Sequence, residues 1–349
     1  MGSEMCIRDR SMTSHVIIEF AGEIPEPLLR AQSVAGKFFL MFFAIAVFAV
    51  VFGLVLFLAS LFKGRTGEKF QGALFVGPAV LLLAVGLMYP AILTIIQSFR
   101  GKSGEGSFST ENYVQMFTQP ELLLVLRNTA IWVILVPFLA TGVGLVYAIL
   151  IDRARGEAFS KALIFLPMAI SMVGASIIWK FVYQYKQTSR PQIGLLNAIL
   201  KALGFETQQF LINAPLNTLM LIIVMVWIQA GFAMTVLSAA IKAIPDEIIE
   251  AAKLDGVQAF KMFRFITLPS IRPALVVVIT TIGIGTLKVF DIVRTMTGGQ
   301  FDTSVVANEF YNQSFRFDAG GLGAALAVLL FVLVIPIVVY NIVQMRKEA

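Results

Sequence analysis

Seven apolar stretches, each about 20 residues long or slightly more, divide this chain near Phe38–Phe62, Ala73–Ile96, Thr129–Ile151, Ala162–Tyr183, Leu216–Ala240, Ala274–Val293 and Leu322–Val343. A helix needs about 20 apolar residues to cross a bilayer, because its backbone must satisfy its own hydrogen bonds there. The composition agrees. Only 14% of the 349 residues are charged and 58% are hydrophobic, whereas a soluble domain carries about 25% charged residues. A soluble fold of this length has too little interior for that much apolar surface. The expected fold is an all-α integral membrane protein with about seven transmembrane helices. Pro78, Pro90 and Pro137 fall inside the second and third stretches, where neighbouring helices or water can satisfy the freed backbone groups.

Charge orients the spans. Lys63, Arg65 and Lys69 follow the first stretch, and Arg153, Arg155 and Lys161 follow the third. Lys242, Lys253, Lys261, Arg264 and Arg272 separate the fifth from the sixth, and Arg346 and Lys347 end the chain. Alternating spans put all four groups on one side, and basic loops mark the cytoplasmic side. Seven crossings then place the N-terminus outside, against the preference of Arg30 and Lys37 for the cytoplasm. A peripheral first helix or a hairpin would remove that conflict. Residues 1–37 read as a tail, 38–72 as the first span with its cytoplasmic loop, and 73–349 as the core. Met1 to Ser11 are polar and fit no signal peptide. Met12 is a natural start, so residues 1–11 read as non-native.

Several function classes drop out. Cys6 and His15 are the only residues of their types, which excludes an intrachain disulfide and a Cys/His zinc cage. His-based acid–base chemistry would rest on one residue in a polar tail, so no enzyme is expected. The net charge of +6 is spread among hydrophobic blocks without an aromatic-rich basic stripe, so no nucleic-acid partner is expected. Gly101-Lys102-Ser103 imitates the end of a phosphate-binding loop, but Ile96 stands where that loop needs glycine. Any ATP hydrolysis must come from another subunit.

The loop over 241–273 is the most informative segment. Pro245 suits the first position of a helix, Asp246 and Glu247 suit the positive end of its dipole, and Gly256 suits a left-handed terminus. A second short helix is expected over about Val257–Ile266, stopping before Pro269. Ala251 and Ala252 are small enough to admit another protein's backbone, with Glu250 and Asp255 beside them as charged acceptors.

The order Glu250-Ala251-Ala252, Asp255-Gly256 and Leu268-Pro269 resembles the EAA loop of ATP-binding-cassette importer permeases. Val257 departs from that pattern, where alanine is more usual. In that family the loop inserts a coupling helix into a cleft on the ATP-hydrolysing subunit. The resemblance therefore implies coupling roles for Glu250, Ala251, Ala252, Asp255, Gly256 and Pro269. Asn112-Tyr113 with Phe117, Asn128-Thr129, Phe165-Leu166-Pro167, Gly194-Leu195-Leu196-Asn197 and Gly298-Gly299 resemble the carbohydrate branch, the maltose-type permeases. The likeness runs from about Ala73 to the C-terminus, and the fourth span and its outer loop look most like α-glucoside permeases.

The resemblance implies a maltose-permease-like domain in a bacterial inner membrane, surrounded by lipid and carrying a sugar or oligosaccharide. Its implied partners are a second homologous permease, an ATPase dimer and an extracytoplasmic solute-binding protein. ATP and magnesium would belong to the ATPase, with no cofactor bound by this chain. For the solute pathway, Trp227, Gln229 and Gly231 in the fifth span offer a stacking face, an amide and a close-approach point. Thr286, Lys288 and Asp291 in the sixth are polar at membrane depth, and such groups line water-filled paths or pair with one another. Three residues apart, Lys288 and Asp291 can meet on one helix face, unless the span ends before Asp291. Two alternatives stand: a permease for another solute such as glycerol phosphate or a polyamine, and a stand-alone secondary transporter. The first would favour arginine in the spans, and the second would show matching inverted halves; neither signature is visible.

Overall fold

The computed structural model describes residues 34–61, 65–152, 155–187 and 191–348. Met12, Cys6, His15 and Arg30 lie outside the described residues. The chain divides into two units, residues 1–90 and 91–349. In the first, α1 (Val34–Leu61) stacks Phe39 on Phe43 and Phe48 on Phe52, with ring centroids 6.4 and 6.1 Å apart. α2 (Arg65–Leu83) passes through one π turn, Ala84–Met88, and continues as α3 (Tyr89–Ser98). The wide turn has a local cause. Pro90 lacks an N–H and its ring crowds the carbonyl four residues back. The Tyr89 N–H instead reaches Ala84, five residues back, and the helix continues.

The second unit is built on two long helices. α4 (Glu111–Thr118) leads into α5 (Pro120–Ile151), which begins nine residues before the expected third span. Pro120 starts it from the first turn, where a missing N–H costs nothing; polar residues such as Arg127 and Asn128 conceal that early part from an apolar reading. α9 (Leu216–Lys242) packs along α5 and buries Leu221, Met225, Met234 and Leu237 against Trp132, Val136 and Ala140.

Between them the expected fourth span is broken. α6 (Glu157–Phe165) tightens into a 3-10 turn at Leu166–Ala169, and α7 (Met172–Val182) departs at 100°. Ser171 makes the corner by accepting the Gly174 N–H at 3.0 Å, the usual way a short hydroxyl side chain starts a helix. At 1.5 Å per residue, the 11 residues of α7 rise about 16 Å, so neither half crosses a bilayer alone.

After α8 (Leu195–Ala202) and α9 comes the loop pair: α10 (Asp246–Leu254), then α11 (Ala259–Met262), a π turn at Phe263–Thr267, and α12 (Leu268–Ser270). This second helix runs through Pro269 instead of stopping before it. The Leu268 N–H reaches back five residues to Phe263, as Tyr89 does ahead of Pro90. α13 (Arg272–Leu287) leaves at 68°.

The sixth span also ends early. The Lys288 and Val289 N–H groups bond three residues back, to Gly285 and Thr286, which tightens and closes the last turn. α14 (Asp291–Met296) starts separately. Lys288 and Asp291 therefore do not share a helix face, and among the described residues no ion pair joins them. α15 (Val306–Phe315) packs on α16 (Gly320–Glu348). Among the described residues, five helices are long and apolar enough to cross a membrane, and up to seven crossings result if each bent pair counts once.

Candidate functional site: the loop after α9 and the polar seam above it

α9 ends at Lys242, and the chain turns through Ala243 and the buried Ile244 before Pro245 caps α10. Pro245 stands one position ahead of the helix, with Asp246 and Glu247 in its first turn. At the other end, Gly256 takes φ +75°. Its N–H bonds Lys253 at 3.0 Å, and the Val257 N–H bonds Ala252 at 3.0 Å. This reciprocal pair closes a helix only when the residue after it is left-handed.

Exposure divides the segment. Glu250, Ala251, Lys253, Asp255 and Pro269 are exposed, whereas Ala252 is turned inward and only Ala251 presents a small surface. Leu254 is 89% exposed, Phe260 74% and Phe265 67%. Apolar side chains this exposed can meet lipid or another protein.

Above the loop, the six expected pathway residues fall into three neighbourhoods. Trp227 meets Trp179 of α7 edge-on at 5.6 Å, in an aromatic cluster that continues through Tyr183 to Phe210. One turn on, Gly231 lies against α6, where a Cβ would come within 2.7 Å of the Ile164 carbonyl oxygen. Its close approach is to the chain's own backbone.

Gln229 points elsewhere, with its Nε2 3.9 Å from where Gly285 of α13 would carry a Cβ. Its half-buried amide has no hydrogen-bond partner among the described residues. Thr286 beside it is fully buried, and its hydroxyl donates to the Ile282 carbonyl at 2.7 Å. Lys288 is exposed, and Asp291 opens α14.

Two of the short strings quoted from the sequence, Asn128-Thr129 and Gly298-Gly299, meet at one loop. Asn128 Nδ2 donates to the Asp302 and Ser304 carbonyls at 2.6 and 3.0 Å, and Thr129 Oγ1 accepts the Val306 N–H at 2.9 Å. Asn217 of α9 donates to the Phe301 carbonyl at 2.6 Å. The loop they hold has positive φ at Phe301 and Asp302 as well as at Gly298 and Gly299. Asn112 and Asn197 pin other outer loops through backbone carbonyls in the same way. Sequence reasoning missed Asn217 and the Phe301–Asp302 turn, since only a contact between distant segments reveals them.

Residues 122–347 match the family model described as "binding-protein-dependent transport system inner membrane component". The chain belongs to that family. This inner-membrane transport component is 43% identical to the osmoprotective compounds uptake permease protein GgtC of Synechocystis sp., over 79% of this chain and 99% of that one. It is 43% identical to the alpha-glucoside transport system permease protein AglF of Rhizobium meliloti, over 82% of this chain and 85% of that one. The crystal structure of a bacterial alginate ABC transporter has the same fold at a TM-score of 0.69 and 20% identity, over 80% of this chain and 96% of the matched one. Membership makes the component a permease working with a binding protein, and leaves no place for a stand-alone secondary transporter.

Proposed function

We propose that the chain is one of two permease subunits of a sugar importer, with α-glucosides as its substrate class. What carries the coupling half of this reading is α10. It lies outside the spans, ends on a left-handed glycine and presents Glu250, Ala251 and the bare Leu254 side chain. Such a helix suits a cleft on an ATP-hydrolysing subunit. The sugar half rests on the similarity to AglF.

In this mechanism two ATPase subunits bind ATP and magnesium, and the chain itself binds neither and catalyses no covalent step. Their closure draws in α10 and its counterpart on a second, homologous permease. The helices above turn outward to take solute from the extracytoplasmic binding protein, and hydrolysis returns them. Of the six pathway residues, Gln229 offers an amide with donors and an acceptor for sugar hydroxyls.

The similarity to GgtC supports a second reading, an osmoprotective compound as the solute. Uptake of labelled sucrose, trehalose, maltose and glycine betaine by the complete importer decides between them. ATP-dependent uptake of an α-glucoside is expected. Uptake of glycine betaine alone would favour the second reading, and ATP-dependent uptake unaffected by Glu250→Lys would remove the coupling assignment.

A further inference from the structure

We propose that Glu157 is the hub of an ionic clamp that carries movement of the coupling loop into the broken fourth span. The proposal rests on the reading of α10 as the ATPase contact. Two ammonium groups converge on one oxygen of Glu157: Lys161 Nζ at 2.6 Å, from one turn along α6, and Lys242 Nζ at 2.5 Å, from the last residue of α9. Lys161 also donates to Ser238 Oγ of α9 at 2.5 Å. Lys242 lies 3.7 Å from Asp152, the residue that ends α5. Two cations and two carboxylates thus tie the inner ends of α5, α6 and α9 into a neutral group. The Glu157–Lys161 pair alone would be an ordinary neighbour pair on one helix, worth little. Lys242 changes its meaning, because its partner lies 85 positions away in sequence.

Geometry gives the clamp a mechanical role. A cleft of about 390 Å³ lies between Ile149, Asp152 and Ile241 on one side and Lys253, Phe263 and Thr267 on the other. Displacement of α10 reaches the body along residues 243–245 as well as through Ile249, which packs on the core, and Lys242 is the next residue up the chain. Through Glu157 it moves the start of α6, and α6 leads through the 3-10 turn at Leu166–Ala169 to the sharp corner at Ile170–Ser171. Glu157 and Lys242 are positioning residues: they set the angle between α6 and α7 without touching solute.

The test uses nitroxide labels in the assembled importer, with Cys6 replaced. A pair at Phe159 and Phe181, exposed side chains on the two sides of the corner, reports the bend. A single label at Leu254 reports docking of the loop. Trapping with ATP and vanadate is expected to shift the Phe159–Phe181 distance in the otherwise native chain. The shift should be lost in Glu157→Gln and Lys242→Met, while the Leu254 label stays immobilised. Lys242→Arg, which keeps the charge facing Glu157 and Asp152, should retain it. A shift that persists in both Glu157→Gln and Lys242→Met, or that is absent from the native chain although Leu254 is immobilised, overturns the clamp. A Leu254 label that remains mobile in the complete importer overturns the coupling reading instead. If none of the variants assembles, Glu157 is a folding element and the proposal fails.

Discussion

Gly231 of α9 lies with its Cα hydrogen facing the Ile164 carbonyl of α6, so close that a methyl group there would stand 2.7 Å from the oxygen and 3.0 Å from the Phe165 Cα. Neither neighbour is a flexible side-chain tip, so backbone must move to admit it. Gly231→Ala is expected to cost about 1–3 kcal/mol, the usual penalty for overpacking, and Gly231→Val more. Melting of the detergent-solubilised importer measures it. A Gly231→Ala variant as stable as the parent would mean that α6 and α9 do not cross this tightly.

Gly256 offers the opposite case. A Cβ there meets nothing within 4 Å, yet φ is +75°. Any cost of substitution comes from backbone conformation, about 1–2 kcal/mol for an L-residue with a β-carbon. Gly256→Val should reduce solute-stimulated ATP hydrolysis several-fold, whereas Gly256→Asn, which tolerates the left-handed region, should retain most of it. Equal activity in the two variants would show that the turn is not needed for coupling.

Asn128 and Asn217 hold adjacent carbonyls of one outer loop, at Asp302, Ser304 and Phe301. Replacing Asn128 with alanine strands the buried Ser304 carbonyl, which costs about 1–3 kcal/mol, and replacing Asn217 frees a part-buried carbonyl at lower cost. Because both act on the same loop, the double variant should lose less than the sum of the singles. Strict additivity in thermal melting would separate the two anchors.

Gln229 and Thr286 are neighbours across α9 and α13 with different prospects. The Thr286 hydroxyl is spent on Ile282 and is fully buried, so Thr286→Ala is expected to lower stability by about 1 kcal/mol and to leave the substrate affinity of uptake alone. Gln229→Ala should lower uptake at unchanged melting temperature, since its amide has no partner to lose. Uptake kinetics on the sugar panel, set beside melting curves, check both. An unchanged uptake profile in Gln229→Ala would make that residue packing.

The sequence made legible whatever is local. Apolar runs located the helices, and Pro245, Asp246 and Gly256 marked the start and end of α10 because caps act over three or four residues. Pro269 misled as a stop, because a single π turn absorbs a proline and hydropathy does not register a change in helix width. The corner at Ile170–Ser171 left only a serine and Pro167 as traces in an otherwise apolar run. α13 closing at Leu287 separated Lys288 from Asp291, and a spacing of three residues carries no information about whether one helix spans both. Ala252 and Ala251 look alike as letters, but a 100° step around α10 turns one in and the other out. Among the site residues, the partners of Glu157 and Asn217 were out of reach, since both depend on chain segments more than eighty positions away.

The outer anchors bear on how this permease changes shape. Asn128 belongs to α5 and Asn217 to α9, yet both grip the turn at 301–304. If either long helix slid along the other at that end, it would break the hydrogen bonds that hold these carbonyls. The shared anchor thus favours movement of the two helices as a single rod over shear between them. What bending remains belongs to the corners at Ile170–Ser171 and Ile271. A substrate path that opens alternately to the two faces of the membrane has to do so by pivoting around this rod.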